Sequence, residues 1–423
     1  MNLYNLETPN CFFKRKKEEI SMKSPESVIL VHEISKLKTK DDLWNPYSWY
    51  QYMRENHPVY YDADQDVWNV FSYDDVNRVL SDYRLFSSRR DRQQFSFPQR
   101  ETRMNLNSSD PPEHRNVRSI VSKAFTPRSL TEWKPHIQAL ANEMIEKLRN
   151  LDEIDIVEDL AAPFPVTVIS NLLGVPTTDL KKVKRWSDIL FMPYSREKFA
   201  DLDQQKAIAM KEFKTYLLPI VQEKRCTLAD DILSDLIRAE YEGERLTDEE
   251  IVDFSLGLLA AGNETTTNLI INSFYCFLVD QPGTYKELRE NPDYIPQAVE
   301  EVLRYRFPVT LARIITEDTN IFGPNMKKGQ MIVTWVSAAN LDEKQFQNAS
   351  CFDIHRAGND KHMTFGKGPH FCLGAPLARL EATIALTTFI KQHKDITLSP
   401  SFQLENCLLE NEQTLKHLPI LLK

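Results

Sequence analysis

What this sequence lacks already narrows the functions open to it. None of its 423 residues belongs to a stretch that approaches the run of ~20 apolar residues needed to span a membrane. The N-terminus offers only Phe12 and Phe13 before the charged run at residues 14–17, which predicts neither a signal peptide nor a membrane anchor. We therefore expect a cytoplasmic protein without an anchor.

Cysteine pairs at the spacing of disulfide frameworks or zinc sites are also missing. The six cysteines, at positions 11, 226, 276, 351, 372 and 407, are widely separated and include no Cys-x-x-Cys pair. This spread is typical of reduced thiols in a cytosol. A zinc site needs several clustered ligands, and His370 with Cys372 alone is a poor nucleus for one.

Two further absences concern partners. The formal charge is −9 and the short basic run at residues 14–17 has no counterpart elsewhere, so nucleic acid is not expected to bind. No Gly-x-Gly-x-x-Gly fingerprint is present, so a flavin or nicotinamide would have to be carried by another protein.

No repeat or low-complexity linker divides residues 130–250, and 42% hydrophobic residues are enough for a substantial core.

The most informative stretch that is present is a glycine-rich loop around one cysteine, residues 365–374, with the sequence Phe-Gly-Lys-Gly-Pro-His-Phe-Cys-Leu-Gly. Its glycines permit a tight turn around the sulfur of Cys372. Pro376 stands in the first turn of a predicted helix, so Cys372 lies just ahead of a helix N-terminus, where N–H groups favour a thiolate. A thiolate held in this way is a metal ligand or a nucleophile, with His370 as a possible base; the alternative is a buried structural cysteine.

A second informative stretch is an apolar helix with a polar centre, predicted over residues 253–279. The central sequence Ala-Gly-Asn-Glu-Thr-Thr-Thr at 261–267 is a poor helix former. Gly costs roughly 1 kcal/mol and Asn or Thr up to about 0.7 kcal/mol each relative to Ala. Something other than helix stability therefore accounts for this polar centre; the alternative is an ordinary Thr-rich weak turn.

Elsewhere the periodicity predicts a hairpin of strands at 58–61 and 67–71 and a long loop from 86 to 110. A helix start is indicated at Asp110, with His114 and Arg118 on one helical face. Further helices are predicted over 130–149, 166–173, 178–191, 206–224 and 230–241.

The cysteine loop resembles the haem-binding loop of the cytochrome P-450 superfamily, Phe-Gly-x-Gly-x-His-x-Cys-x-Gly, at all of its fixed positions. The centre of the long helix resembles the family's Ala/Gly-Gly-x-Asp/Glu-Thr motif, and Glu301 with Arg304 matches its Glu-x-x-Arg. The motifs occur in the family's order, and the resemblance extends from about Pro46 to the C-terminus. It implies a single, mainly α-helical haem-thiolate domain with a small β portion over residues 26–423, behind a flexible extension of residues 1–25.

The resemblance also implies roles for individual residues. Cys372 would be the proximal thiolate ligand of the iron of haem b, and Glu264 and Thr265 would relay protons. The expected contacts to the haem propionates are His114, Arg118, Arg313 and His370. A structural ion-pair group would consist of Glu301, Arg304 and Arg356. The candidate substrate contacts are Phe95, Phe97, Val309, Leu311, Thr414 and Leu415.

The implied reaction is insertion of one oxygen atom from dioxygen into a small hydrophobic substrate such as a fatty acid, terpenoid, steroid or macrolide. Electrons would come from NAD(P)H through a ferredoxin or flavodoxin and a separate reductase. A basic docking face for that partner would consist of Lys123, Arg128, Lys367 and Arg379. Residues 186–194 resemble the family's lid over the substrate channel. The alternatives are a peroxide-using peroxygenase, which the Glu-Thr pair disfavours, and a non-catalytic haem gas sensor or electron carrier.

Overall fold

The computed structural model describes residues 39–63, 65–89, 106–191, 199–241, 243–404 and 414–422. The predicted mainly α-helical fold is confirmed, with 59% of residues in helices and a small mixed β portion. Phe95 and Phe97 lie outside the described residues, and so does the expected boundary after residue 25, which stays a prediction.

The α-helices follow the chain in the order α1 Lys40–Trp44, α2 Tyr47–Asn56, α3 Tyr73–Ser81, α4 Glu113–Val121, α5 Pro127–Glu146, α6 Pro163–Leu172, α7 Leu180–Phe191, α8 Phe199–Cys226, α9 Ile232–Arg238, α10 Asp248–Tyr275, α11 Thr284–Glu290, α12 Ile295–Tyr305, α13 Val336–Ala339 and α14 Ala375–Gln392. The strands are β1 Val59–Asp62, β2 Val67–Val70, β3 Phe86–Ser87, β4 Glu153–Asp155, β5 Glu240–Tyr241, β6 Glu244–Arg245, β7 Thr310–Ile315, β8 Met331–Trp335, β9 Ile396–Leu398 and β10 Pro419–Leu422.

The larger sheet has the strand order β1-β2-β8-β7-β3. The predicted hairpin is its first pair, with Val59 opposite Val70. Strand β2 runs parallel to β8, and β7 is antiparallel to both of its neighbours. A second sheet of order β4-β10-β9 brings the C-terminal strand against the middle of the chain. The β portion thus joins segments that are far apart in the sequence.

The predicted central helix is α10, which begins earlier than its apolar pattern suggests. A capping box sets its start, because the Thr247 hydroxyl accepts from the Glu250 N–H while the Glu250 carboxylate accepts from the Thr247 N–H. The helix continues unbroken through the weak centre at 261–267 and packs against α6, α7, α8, α12 and α14. Tertiary packing therefore overrides the low intrinsic propensity of this stretch.

One predicted helix is too long. The chain is helical only to Arg238, and the following residues Glu240–Tyr241 pair with Glu244–Arg245 in a short hairpin. Gly243 has a φ of +83°, a left-handed conformation that suits a tight turn and that residues other than glycine rarely adopt. The chain leaves the helix at Ala239, which is extended with ψ at 133°, and the short hairpin replaces the predicted last turn.

Packing of α10 and α14 forms the centre of the helical core. The rings of Phe274 and Phe389, one from each helix, meet edge to face with centroids 4.9 Å apart. Both side chains are fully buried. Because α14 starts directly after the cysteine loop, this packing fixes the position of Cys372 relative to the polar centre of α10.

Candidate active site

Backbone hydrogen bonds fold the cysteine loop tightly in front of α14. The Cys372 N–H donates to the Phe365 carbonyl at 2.8 Å, which closes the loop. Gly366 and Gly368 have φ values of +72° and +66°. A Cβ on Gly368 would lie 2.9 Å from the carbonyl oxygen of Leu80, so a larger residue would clash with the end of α3. Gly368 therefore lets the loop approach the end of α3 closely.

The protein by itself does not favour the Cys372 thiolate, contrary to the expectation from the helix N-terminus. Cys372 is exposed as a residue, yet desolvation by the surrounding protein raises the pKa of its thiol above the usual value. The N–H groups of Gly374 and Ala375 and the cations Arg118 and Arg379 lower the pKa, but by less. A bound metal cation would supply the missing stabilisation, since a coordinating thiol is deprotonated outright.

A cluster of cationic and imidazole groups lies beside the cysteine loop. The rings of His114, on α4, and His370, in the loop, have centroids 4.2 Å apart. Arg118, one turn after His114, donates through Nη2 to the Phe371 carbonyl at 2.5 Å. The structure therefore brings together three of the four residues predicted to contact propionates. The fourth, Arg313, lies on β7, is 8% exposed and donates to the Ala312 carbonyl at 2.8 Å.

The electrostatics of this cluster suit an anion. Burial, together with the neighbouring His370 and Arg118, lowers the pKa of His114 to about 4, so this imidazole is neutral at neutral pH. The buried Nε2 atom of His370 has no hydrogen-bond partner within the described ranges. The nearest carboxylate oxygen, Oδ1 of Asp110, is 3.9 Å away and too distant for a hydrogen bond. An unpartnered buried ring nitrogen is unfavourable and indicates a ligand.

These residues fit a haem group. A thiol at the end of the loop offers the iron a ligand, and the cluster of His114, Arg118 and His370 offers donors to acidic side groups. Open space borders the centre of α10, because a Cβ on Gly262 would meet no described atom within 4 Å. The cysteine loop thus combines a soft metal ligand with anion-binding groups, and the centre of α10 has room beside it.

The two candidate proton-relay residues lie on this part of α10. Thr265 donates its hydroxyl hydrogen to the Ala261 carbonyl at 2.7 Å, one turn earlier. A hydroxyl keeps two lone pairs that can accept further hydrogen bonds. Glu264 is half-buried in the same turn. A carboxyl and a hydroxyl thus occupy consecutive positions of α10, and these are groups that can transfer protons.

Glu301, Arg304 and Arg356 form a buried network behind the loop. Glu301 accepts from Arg304 Nε at 2.9 Å and Nη2 at 2.7 Å, and from Arg356 Nε at 3.0 Å. Arg304 also donates to the carbonyls of Asn340 and Ala349 at 2.9 and 2.8 Å. The Glu301 carboxylate is therefore paired with both guanidinium groups. The remaining N–H groups of Arg304 hold the backbone between α13 and the cysteine loop.

The candidate substrate contacts differ in their surroundings. Val309 lies just before β7 and Leu311 lies on it, and both residues are half-buried. Leu311 Cδ1 lies 3.7 Å from the position of a Cβ on Gly366, which places this side chain against the cysteine loop. Leu415 is 1% exposed within the helical core, and Thr414 donates to Asn268 Oδ1 on α10. Leu311 is thus the candidate whose contact with the loop is direct.

The predicted docking face is largely paired within the protein. Arg128 bonds Glu132 at 2.8 Å, Lys123 donates to the Glu240 carbonyl, and Arg379 makes two hydrogen bonds to Glu300. Lys367 has no ion pair among the described residues. Sequence reasoning missed Glu300, and its only signal was the acidic pair that it forms with Glu301 at the start of the Glu-x-x-Arg motif.

In the described part of the chain, no helix is both long and apolar enough to cross a membrane.

The chain is similar to known proteins along most of its length. A model of the family described as Cytochrome P450 matches residues 22–400. The chain is 49% identical to Cytochrome P450(MEG) of Priestia megaterium, over 93% of this chain and 98% of that protein. It is 45% identical to Cytochrome P450(BM-1) of Priestia megaterium, with the same coverage. The crystal structure of CYP109E1 from Bacillus megaterium in complex with corticosterone is similar at a TM-score of 0.81 and 43% identity, covering 89% of this chain and 98% of that one.

Proposed function

This chain belongs to the cytochrome P450 family of haem-thiolate monooxygenases, and we propose on that premise that it hydroxylates a steroid-like substrate with haem b held by Cys372. One atom of dioxygen enters the substrate and the other leaves as water, with two electrons from NAD(P)H. The observation that carries the proposal is the thiol at the end of the loop beside the unpartnered His370 Nε2. A haem group needs both a metal ligand for its iron and an anion site for its propionates.

Each group in the site has a distinct task. Haem, when bound, supplies the activation of dioxygen and the transfer of oxygen to the substrate. Cys372 binds the iron, while Arg118 and Arg313 supply positive charge and His114 and His370 supply N–H donors to the propionates. A buried carboxylate without such partners would be strongly unfavourable.

Proton delivery is proposed for α10. Thr265 holds a proton at Oγ1 on the open side of the helix, and the neighbouring Glu264 carboxyl renews it from solvent. Such a relay favours the monooxygenase over the peroxygenase alternative, because peroxide already carries the protons that dioxygen lacks. A gas sensor or electron carrier would need neither the relay nor an apolar substrate contact.

The substrate class rests on the similar structures and on the apolar side chains beside the loop. CYP109E1 has been crystallised with corticosterone and with testosterone, and the latter complex is 42% identical to this chain. Leu311 offers apolar surface against the cysteine loop, and Val309 is half-buried two residues earlier, which suits a rigid hydrocarbon skeleton. Macrolides are the second candidate, because a complex of EryK with erythromycin B is 34% identical.

The electron donor is proposed to be a ferredoxin or flavodoxin with an NAD(P)H-dependent reductase. No nicotinamide fingerprint occurs in the sequence, so a separate reductase is needed. A cytoplasmic location would place the protein beside its NAD(P)H supply. Lys367, which precedes the cysteine on the loop, is the cation that we assign to the docking face.

Spectral titration of the purified haem protein tests the substrate class. Testosterone or corticosterone should move the iron from low to high spin, whereas a fatty acid of similar length should do so more weakly. Leu311→Phe should weaken the steroid response several-fold, and the control Ile321→Phe, at an exposed position, should leave it unchanged. No spin shift with any steroid, together with a shift by erythromycin B, would replace the steroid proposal by the macrolide one.

A further inference from the structure

One carboxylate on α12, Glu300, contacts residues on both sides of the cysteine loop. Arg379, on α14 after the cysteine, donates to Glu300 through Nε at 2.5 Å and Nη2 at 2.9 Å. His362, before the loop, has Nε2 at 3.2 Å from Glu300 Oε2. Glu300 therefore connects the segment that enters the loop with the helix that leaves it.

The hydrogen bonds around His362 fix its orientation. Its Nδ1 atom accepts from the Thr364 N–H at 3.1 Å, so Nε2 carries the ring proton and donates to Glu300. The Thr364 hydroxyl donates to the Leu303 carbonyl at 2.6 Å and accepts from Asn340 at 2.9 Å. Residues 362–364 are thus tied to α12 at two points, one of which is Glu300.

The same connections extend to Cys372, the proposed iron ligand. Next to Thr364 lies Phe365, whose carbonyl accepts the N–H of Cys372 at 2.8 Å. The guanidinium of Arg379 lies 4.5 Å from the centre of the Phe365 ring, within the range of a cation–π contact. Movement of either His362 or Arg379 would therefore displace Phe365 and, through its carbonyl, the cysteine.

Charge balance gives Glu300 a second effect. Burial alone would raise the pKa of Glu300, but hydrogen bonds from His362 and Arg379 outweigh it and lower the pKa to about 2. The carboxylate is therefore ionised and neutralises Arg379, the cation that contacts the Phe365 ring of the cysteine loop. Without Glu300, the positive charge of Arg379 would act on the sulfur unopposed.

We propose that Glu300 is a positioning residue of the haem-thiolate site, which holds the cysteine loop through His362 and Arg379 and sets the charge beside the Cys372 sulfur. The inference rests on the proposed function, because it takes Cys372 as the iron ligand. It also assigns Arg379 to the site, so that this residue is not part of the docking face.

Glu300→Gln in the full-length haem protein tests the proposal by two measurements that do not depend on turnover. The midpoint potential of the iron should become more positive, because an unopposed cation favours the reduced, more negative form. A larger fraction of the ferrous carbon monoxide complex should lose the red-shifted Soret band of thiolate ligation. The control is Glu287→Gln, which removes a carboxylate bonded to an exposed histidine, His355, at 2.6 Å; it should change neither quantity.

A double variant separates charge from position. Glu300→Gln with Arg379→Gln removes both charges, so the midpoint potential should return towards that of the wild type. The loss of thiolate ligation should persist, because the connections through Glu300 remain broken. A double variant whose potential stays as positive as that of Glu300→Gln would overturn the charge effect.

Other outcomes also decide the proposal. If Glu300→Gln kept both the potential and the Soret band of the wild type, Glu300 would not be a positioning residue. If Glu300→Gln failed to fold, Arg379→Gln alone should shift the potential in the negative direction, and the absence of that shift would overturn the proposal. A wild-type protein without the red-shifted band would contradict the proposed function itself, whereas a wild-type band with an unaffected Glu300→Gln would contradict this inference alone.

Discussion

Glu301 and Arg304 face each other across one turn of α12 with neither side chain exposed to solvent. Two parallel hydrogen bonds of 2.9 and 2.7 Å join the guanidinium to the two carboxylate oxygens. An exposed pair at this spacing stabilises a helix by only about 0.2–0.5 kcal/mol. Burial makes the loss of one partner more costly than in an exposed pair, because the remaining charge would stay desolvated.

Replacing Glu301 should therefore destabilise the protein strongly. Glu301→Gln leaves the buried cations of Arg304 and Arg356 without a counter-charge, and breaking such a buried pair costs about 3–5 kcal/mol. Urea unfolding at neutral pH measures the loss. The exposed pair of Arg128 and Glu132 offers the control, since Glu132→Gln should cost less than about 1 kcal/mol. Equal stability of the two variants would show that the buried pair is dispensable.

Cys372→Ser should remove thiolate ligation. The purified wild type should show the strongly red-shifted Soret band in its ferrous carbon monoxide complex, because a thiolate ligand to the haem iron would shift this band to the red. The serine variant should lack this band, whereas Cys351→Ser, at an exposed cysteine outside the loop, should keep it. A red-shifted band in Cys372→Ser would assign the ligand to another residue.

Haem retention depends on the cluster of His114, Arg118 and His370. A variant with both His114→Ala and Arg118→Ala should lose haem several-fold faster to an apomyoglobin acceptor, since the propionates lose two partners. The control Arg115→Ala alters a neighbouring exposed residue of α4 and should leave the rate unchanged. Unaltered retention in the double variant would remove both residues from the cofactor site.

Thr265→Ala should uncouple electron consumption from product formation. The variant should bind haem and substrate and consume NAD(P)H with its partners, yet release much of the reducing power as hydrogen peroxide, because the hydroxyl proton at Oγ1 is gone. Product formed per NAD(P)H is the quantity to measure. Thr265→Ser restores the hydroxyl and should recover coupling. Full coupling in Thr265→Ala would contradict the relay and favour the peroxygenase alternative.

Ser187 joins α7 to α10 and should matter for stability. The side-chain amide of Asn263 donates to Ser187 Oγ at 2.8 Å with both residues buried, and the Asn263 carbonyl oxygen has no partner in the described ranges. Ser187→Ala would leave the amide without any partner, at a cost of about 1–3 kcal/mol in unfolding free energy. The matched control is Ser119→Ala, which removes an exposed hydroxyl bonded to the Arg115 carbonyl and should be nearly neutral. A neutral Ser187→Ala would show that water replaces the contact.

The amino-acid sequence alone was sufficient to predict the cysteine loop, the polar centre of α10 and the first hairpin. Each depends on local chemistry, such as the glycines at 366 and 368, which permit left-handed turns. Such features act within a few residues of one another. They can therefore be recognised before any tertiary contact is known.

Only the tertiary structure determined the burial, the pKa and the long-range partners of these groups. The helix N-terminus lowers the pKa of Cys372, but desolvation by distant segments outweighs it. The spacing of Glu301 and Arg304 is compatible with an exposed pair, and only packing of α12 makes it a buried one. Glu300 meets His362 and Arg379 because α12, the loop and α14 converge. Burial and long-range pairing depend on elements far apart in the chain, so no local pattern encodes them.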